Sequence, residues 1–238
     1  MSSKERPKIA LWDSDFIVYR VGFAAEEESE GIALARVTEF LNEVTYMELD
    51  CDDYKAYLTG KNNFRNEIAV TQPYKGNRKD FVKPKHYEAI RNHLLRLGAV
   101  VTEGQEADDA VAIEMTEFPD KYILVGQDKD LLQIAGEHYN PVKKEFTTIT
   151  PEIGLRNFYT QILTGDRTDN IKGVDKIGPV KAAKLLKDCK TELEMWNVCV
   201  EAHGSVERAT EDARLLWLRR KPDQLWCPPL DSQDSIGK

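Results

Sequence analysis

Gln105-Glu106-Ala107-Asp108-Asp109 is the first of three acidic segments around which this chain is organised. The other two are Gly126-Gln127-Asp128-Lys129-Asp130 and Gly165-Asp166-Arg167-Thr168-Asp169, and each lies beside an apolar run typical of buried structure. Carboxylates repel one another, so gathering them destabilises a fold unless a positive partner neutralises them. Mg²⁺ is well suited to this, because it is a hard cation that prefers oxygen ligands. We therefore predict a metal site that serves phosphate chemistry.

Two apolar runs lead into acids and predict buried parallel strands. Residues 9–12 are apolar and end at Asp13, while residues 122–125 lead through Gly126 to Asp128. Ligands bind beyond the carboxyl ends of the strands in such sheets, so acids distant in sequence can converge there. Further strands are predicted at 54–58 and 99–101, and helices at 32–46, 87–97 and 107–117. Helices are also predicted after Pro151, and alternating strands and helices indicate an α/β fold.

The charge distribution says more about partners than the net charge does. The formal net charge is −8, which by itself argues against a nucleic-acid partner. However, basic residues outnumber acidic ones between residues 61 and 96 and again between 172 and 190. A solvated surface is the alternative interpretation of either segment. No apolar run reaches membrane-spanning length and residues 1–8 are polar, so we expect no signal peptide, no membrane partner and a cytoplasmic location.

Each acidic segment has a purely structural alternative. Glu106, Asp108 and Asp109 can serve as favourable charges at the start of a helix. Asp128 and Asp130 can form a polar turn after a strand, and Asp166 and Asp169 can cap the following helix. Each alternative explains one segment, but their joint occurrence with Asp13 favours a metal site.

Residues 171–186 predict a hairpin between two helices. Gly173-Val-Asp-Lys-Ile-Gly178 places glycines where the backbone can approach a phosphate closely, and the following helix offers free N–H groups. The lysines at 181, 184 and 187 follow on the adjacent surface. This pattern resembles a helix-hairpin-helix, which grips the DNA backbone without recognising sequence. A hairpin that only packs helices together is the alternative.

Five motifs in the same order resemble the 5′ nuclease superfamily, which comprises flap endonucleases, bacteriophage 5′–3′ exonucleases and the 5′ nuclease domain of DNA polymerase I. The resemblance covers residues 9–186, and small bacteriophage members are the most similar. Its motifs are Asp13-Ser-Asp-Phe-Ile-Val-Tyr-Arg20, Tyr74-Lys-Gly-Asn-Arg78, Glu106-Ala-Asp-Asp109, Asp128-Lys-Asp130 and the segment from Thr164 to Gly178.

The resemblance implies a role for each matching residue. Asp13, Glu106 and Asp108 are expected to bind one Mg²⁺ or Mn²⁺ ion, and Asp128, Asp130 and Asp166 a second ion about 4 Å away. Asp109 and Asp169 are expected to hold waters on these ions, and Lys75 and Arg78 to offset charge on the scissile phosphate. The expected DNA-binding residues are Lys83, Lys85, Gly173, Lys176, Gly178, Lys181 and Lys184. A K⁺ ion is expected at the hairpin.

The chain departs from the family pattern after the second predicted strand. Relatives place a further acidic ligand there, whereas this chain has Thr59 and Gly60. We expect one metal position to lack a protein ligand, so that Gly60→Asp would lower the Mg²⁺ requirement unless Asp15 or Glu67 already fills the position. The basic arch expected at residues 73–86 is also short.

Together these features predict an α/β, PIN-like nuclease domain over residues 1–155, with a central, mostly parallel sheet, and a helical helix-hairpin-helix domain over 156–238. The expected activity is metal-dependent 5′–3′ exonuclease or flap endonuclease cleavage of DNA with a free or flapped 5′ end, extending to RNA–DNA hybrids. We expect a monomer that works beside replication proteins. The alternatives are a DNA-junction binding protein that cleaves poorly and a PIN-type ribonuclease.

Overall fold

The computed structural model describes residues 8–78 and 81–229, which form two compact units. The first unit comprises residues 8–63 and 81–149, and the second comprises residues 64–78 and 150–229. The parts of the predicted domains that fall on residues 1–7, 79–80 and 230–238 lie outside the described residues.

A six-stranded sheet forms the centre of the first unit. Its strands are β1 (Ile9–Asp13), β2 (Asp53–Lys61), β3 (Val100–Glu103), β4 (Tyr122–Val125), β5 (Gly136–Asn140) and β6 (Glu145–Ile149). They lie in the order β3-β2-β1-β4-β5-β6, and only β6 runs antiparallel to its neighbour. The predicted α/β fold with a mostly parallel sheet is therefore confirmed. Strands β5 and β6 were not predicted from the sequence.

Four α-helices accompany this sheet in the described part of the unit. They are α1 (Asp15–Ala24), α2 (Glu30–Asn42), α4 (Tyr87–Arg96) and α5 (Ala107–Glu117), with a π-helical extension of α2 at Glu43–Glu48. One sheet face contributes Ala10 and Trp12 to a core shared with α1, α2 and α4. Leu11, which alternates with them, is also fully buried. Burial on both faces explains why β1 is a continuous apolar run.

The sheet topology brings several functional segments to one edge. β1 pairs in parallel with both β2 and β4, so the carboxyl ends of these strands lie side by side. Asp13 ends β1, Thr59 lies near the end of β2, and Asp128 follows β4. Glu106 follows β3 and forms the N-cap of α5. The edge at which the sequence predicts a site is therefore formed within the first unit.

The second unit is helical. Its described residues form α3 (Arg65–Ile68), α6 (Pro151–Thr164), α7 (Pro179–Leu186), α8 (Glu192–His203) and α9 (Val206–Leu216), and there is a 3-10 turn at Gly76–Arg78. Its core includes Phe158, Tyr159, Ile162, Trp196 and Trp226. This agrees with the sequence prediction that helices dominate after Pro151. No helix among the described residues is long and apolar enough to cross a membrane.

Residues 64–78 pack with the helical unit, although the sequence prediction assigned them to the nuclease domain. Arg65 is almost fully buried, and its guanidinium donates to the backbone carbonyls of Leu215 (2.8 Å) and Trp217 (2.9 Å). Glu211 accepts from the backbone of Thr71 at 2.6 Å. A buried guanidinium needs such acceptors, because leaving its charge without partners would be costly. These contacts with the end of α9 explain the assignment of this segment to the second unit.

Candidate metal and nucleic-acid site

Asp13, Asp15, Glu106 and Asp128 lie at the carboxyl ends of the strands in the first unit, and we call this group the acidic edge. Asp13 is at its centre. Desolvation at the end of β1, together with repulsion from Asp15, Asp128 and Glu106, raises the pKa of the Asp13 carboxyl to about 8. The backbone N–H of Asp15 donates to Asp13 Oδ1 at 3.3 Å and opposes this shift. Acids from three separate segments of the chain therefore lie close enough to Asp13 to act on it.

Glu106, Asp108 and Asp109 open α5 as predicted. Glu106 is the buried N-cap, and it forms a reciprocal capping box with Asp109, whose Oδ2 accepts from the Glu106 N–H at 3.2 Å. Asp109 is fully buried, while the Asp108 carboxylate accepts from the Asp109 N–H at 2.7 Å. The helix-start alternative thus describes a real part of their role. Glu106 belongs both to the start of the helix and to the group of interacting acids, because it also raises the pKa of Asp13 electrostatically.

Asp128 and Asp130 follow β4. Asp128 is exposed at the N-cap of a 3-10 turn over Lys129–Gln133, where its Oδ1 accepts from the Asp130 N–H at 3.0 Å. The carboxylate of Asp130 lies 3.9 Å from the ammonium of Lys129. Asp128 and Asp130 therefore do form a polar turn after β4. Asp128 is also close enough to Asp13 to raise the pKa of the Asp13 carboxyl.

The donor set of this edge fits a hard divalent cation. Its carboxylates repel one another, and a cation that binds between them would relieve that repulsion. Ser14, next to Asp13, adds a buried hydroxyl that has no hydrogen-bond partner among the described residues. Within residues 8–78 and 81–229, however, no three His, Cys, Asp or Glu side chains already surround a common point as a metal-binding group. The charge and donor type fit the ion, while the side chains are not preassembled around it.

Gly60 cannot be the simple replacement for a missing ligand. A Cβ at this position would lie 1.9 Å from the backbone oxygen of Thr102 and 2.8 Å from a methyl group of Val101. The expectation that Gly60→Asp would supply a ligand is therefore wrong on steric grounds. Asp15 instead reaches this strand end, because its Oδ2 accepts from the Thr59 N–H at 3.1 Å. The sequence analysis named Asp15 only as an alternative, with Glu67, for filling this position.

Asp166 and Asp169 lie in the second unit, in the turn that follows α6. Asp166 is buried, its Oδ1 accepts from the Thr168 N–H at 2.7 Å, and its backbone pairs with Ile171. Asp169 accepts from the Tyr74 hydroxyl at 2.7 Å. Both acids therefore stabilise the turn, and their role as metal ligands stays a prediction.

Lys75 and Arg78 are held beside Asp169. The Arg78 guanidinium lies 2.7 Å from Asp169 Oδ1 and donates to the Thr168 carbonyl at 3.1 Å. The Lys75 ammonium lies 3.8 Å from Asp169 Oδ2, and its backbone N–H donates to the Asp169 carbonyl at 2.9 Å. The described part of the predicted arch thus contains one short 3-10 turn, anchored on the turn after α6.

The predicted hairpin is built on two close-packed glycines. Gly165 and Gly173 both have positive φ values, 66° and 62°, and a Cβ on Gly173 would lie 2.3 Å from the backbone nitrogen of Gly165. Gly178 is exposed at the N-cap of α7, with open space where a Cβ would project. Beside the hairpin is an open groove of about 630 Å³, whose lining includes Lys172, Lys176 and Gly178.

The remaining predicted DNA-binding lysines are exposed. Lys176, Lys181 and Lys184 lie on the hairpin and on α7 in the second unit. Lys83 and Lys85 belong to the first unit, where the Lys83 ammonium lies 3.9 Å from the centre of the Tyr87 ring and 3.5 Å from a Glu88 oxygen. The predicted DNA-binding lysines are therefore divided between the two units.

Sequence and structure comparisons relate the chain to DNA-processing enzymes. It is 33% identical over 214 residues to DNA polymerase I of Bacillus caldotenax, a match that covers 78% of this chain and 24% of the relative. It is 31% identical over 156 residues to a 5′–3′ exonuclease of Buchnera aphidicola, covering 58% of this chain and 53% of the relative. The chain thus spans about a quarter of the length of the polymerase. No protein-family model matches it.

The fold has solved counterparts. A complex of the bacteriophage T5 flap endonuclease with DNA and metal ions matches with a TM-score of 0.66 over 88% of each chain. The sequence identity in this match is 16%, so it supports the fold alone.

Proposed function

Because the chain belongs to the 5′ nuclease superfamily, we propose that it is a metal-dependent 5′–3′ exonuclease or flap endonuclease that hydrolyses phosphodiester bonds near a DNA 5′ end. The observation that carries this proposal is the acidic edge, where burial and repulsion from Asp15, Asp128 and Glu106 raise the pKa of Asp13. Such mutual repulsion is difficult to retain in a fold without a cation that relieves it.

Mg²⁺ is the proposed cofactor, with Mn²⁺ as a substitute, and the T5 relative was solved with metal ions. Asp13, Glu106 and Asp108 would hold one ion, and Asp128 and Asp130 would contribute to a second, for which the motif match also proposes Asp166. When bound, these ions supply Lewis-acid activation of water and stabilise the leaving oxygen. The capping box of Glu106 and Asp109 keeps the start of α5 rigid. Asp109 and Asp169 are proposed to orient waters around the ions.

DNA is the proposed substrate because the chain offers a basic surface in each unit. The exposed N-cap at Gly178 and the lysines of α7 would contact the duplex backbone, which requires no base recognition. Lys83 and Lys85 would add contacts from the first unit. We also propose a K⁺ ion among the backbone carbonyls of the hairpin. Binding should therefore weaken steeply as the salt concentration rises.

Lys75 and Arg78 are proposed to stabilise charge that develops on the scissile phosphate. In the free protein both cations are held by Asp169, which prevents the side chains from sampling many rotamers. A phosphate would compete with this carboxylate for the two cations. Donors held in place before the reaction cost little reorganisation when it occurs, and this makes them effective in catalysis.

The proposal also covers the range of substrates, the oligomeric state, the partners and the location of the protein. RNA–DNA hybrids would be accepted, because backbone contacts do not distinguish bases, and the protein would act as a monomer beside replication proteins. Its relatives include a DNA polymerase I, and a cytoplasmic location is proposed as well.

Cleavage assays on three substrates test the proposal. The purified protein is incubated with a labelled 5′-flap DNA, a blunt duplex and a single-stranded RNA, each with Mg²⁺ or with EDTA. We expect Mg²⁺-dependent cleavage of the flap and of the duplex near the 5′ end, and no cleavage of the RNA. Cleavage of RNA alone would favour the PIN-type ribonuclease, against which the hairpin of the second unit counts.

A second candidate is a DNA-junction binding protein that cleaves poorly. The observation that favours it is that Thr59 and Gly60 stand after the second predicted strand, where relatives place a further acidic ligand. In the same assays this candidate predicts tight binding of the flap without product formation at any Mg²⁺ concentration.

A further inference from the structure

The carboxylate of Asp15 holds the carboxyl end of β2. Its two oxygens lie 3.2 Å and 3.1 Å from the backbone nitrogen of Thr59, so the Thr59 N–H donates to the carboxylate. The Thr59 side chain also hydrogen-bonds to Asp15. Asp15 is the first residue of α1, and the start of that helix is thereby tied to the end of the neighbouring strand.

Arg91 of α4 contacts both Asp15 and Thr59. One terminal nitrogen lies 3.3 Å from Asp15 Oδ1, and the other donates to the Thr59 carbonyl at 2.8 Å. The side chains of Arg91 and Asp15 are only 17% and 29% exposed. Asp15 and Arg91 therefore satisfy both backbone groups of Thr59, in a setting where partly buried charges need partners.

Thr59 also contacts the start of α5, the helix that Glu106 caps. Its Oγ1 accepts from the Ala107 N–H at 2.9 Å, and Ala107 is the first residue of α5, directly after Glu106. On the adjacent strand, the Thr102 hydroxyl donates to the Gln105 carbonyl at 2.7 Å. The backbone on both sides of Glu106 is thus fixed by two threonine hydroxyls.

We propose that Asp15, Arg91 and Thr59 form a positioning network that sets the orientation of Glu106 for the divalent cation. Asp15 and Arg91 act through Thr59 and do not touch the ion. This inference rests on the proposed function, because it assumes that Glu106 and its neighbours bind a cation. It gives Arg91 and Thr59 roles that the sequence analysis did not predict, and it gives Asp15 a positioning role in place of the ligand role considered there. Outer contacts of this kind typically change metal affinity by roughly 10- to 100-fold when removed.

Thr59→Val is the direct test, because valine has nearly the same shape but cannot accept from the Ala107 N–H. Mn²⁺ binding to the full chain without DNA is measured by titration calorimetry. We expect a loss of affinity of roughly 10-fold or more, whereas Thr59→Ser, which keeps the hydroxyl, should bind Mn²⁺ nearly as the parent does. Thr148→Val on the exposed face of β6 is the matched control and should change nothing.

Asp15→Asn shows whether Asp15 acts through Thr59. If it does, Asp15→Asn should weaken Mn²⁺ binding, and the double variant with Thr59→Val should bind no worse than the weaker single variant. Hydrogen exchange at Ala107 should accelerate in Thr59→Val and in the double variant, which reports the lost contact independently of any metal.

Two outcomes would overturn the network while leaving the proposed function intact. The first is parent-like Mn²⁺ affinity in folded Thr59→Val that still cleaves DNA. The second is fully additive losses in the double variant, which would mean that Asp15 contacts the ion directly. A parent protein that neither binds Mn²⁺ nor cleaves DNA would refute both proposals.

Discussion

Arg78 and Asp169 form an ion pair within the helical unit, with the guanidinium nitrogen 2.7 Å from the carboxylate oxygen. Motif matching assigns these two residues to different tasks, one to the phosphate and one to the metal. In the structure Asp169 also accepts from the buried Tyr74 and approaches Lys75. The basic segment and the acidic turn therefore stabilise each other in the free protein.

Tyr74→Phe should destabilise the second unit by roughly 2 kcal/mol, because it removes a hydrogen bond to a carboxylate while the ring remains packed. Chemical denaturation measures the free energy of unfolding. Tyr46→Phe is the control, since that side chain is 40% exposed and should change stability little. Equal stability of both variants and the parent would show that the Tyr74 hydroxyl contributes nothing.

Arg78→Lys should lower kcat by about 10-fold or more, although the charge is conserved. Arg78 donates to the Thr168 carbonyl and to Asp169 from two separate nitrogens of one planar guanidinium, and the single ammonium of a lysine lacks this fork. Rates are compared at saturating Mg²⁺ on the flap substrate. Arg36→Lys, which alters an ion-paired arginine on α2, should cleave normally. An unchanged rate in Arg78→Lys would indicate that charge alone is needed there.

Gly178→Val should weaken duplex binding by roughly 1.5 kcal/mol, or about 10-fold, by blocking backbone approach to a phosphate. The substitution has room, since no other atom lies within 4 Å of the point to which a Cβ would project from Gly178. Fluorescence anisotropy with Ca²⁺ in place of Mg²⁺ measures binding without cleavage. Gly31→Val, at another open position, is the control. Parent-like affinity in Gly178→Val would leave the hairpin with a packing role only.

Gly60→Ala should cost about 1–3 kcal/mol of stability or more, because its Cβ would overlap the Thr102 carbonyl unless β2 or β3 shifts. Urea denaturation tests this, with Gly31→Ala in α2 expected to be neutral or stabilising. A stable Gly60→Ala protein would mean that the strands separate easily at this point, and Gly60→Asp would then become a usable probe of the metal site.

The sequence predicted most of the nuclease sheet because its signals are local. The apolar runs that became β1 and β4 end in acids, and the helix predicted at 107–117 has the observed bounds of α5. Strands β5 and β6 were missed because they are largely polar. Most of β6 is exposed, so it lacks the apolar alternation that indicates a half-buried strand.

The placement of residues 64–78 could not be predicted from sequence. It depends on the contact of Arg65 with backbone carbonyls 150 and 152 positions later, and a lone arginine in a basic segment is usually solvated. The contacts of Asp15 could not be predicted for the same reason, because its partners Thr59 and Arg91 become neighbours only when α1, β2 and α4 pack together.

Mg²⁺-dependent cleavage by Asp128→Asn tests the central claim most directly. Asp120→Asn is the matched control, because Asp120 is exposed and lies before β4, at the end of the strand opposite Asp128. We predict that Asp128→Asn loses cleavage of the 5′-flap DNA and binds it as tightly as the parent or more tightly, while Asp120→Asn cleaves normally. Full cleavage by folded Asp128→Asn would remove Asp128 from the metal site and contradict the account.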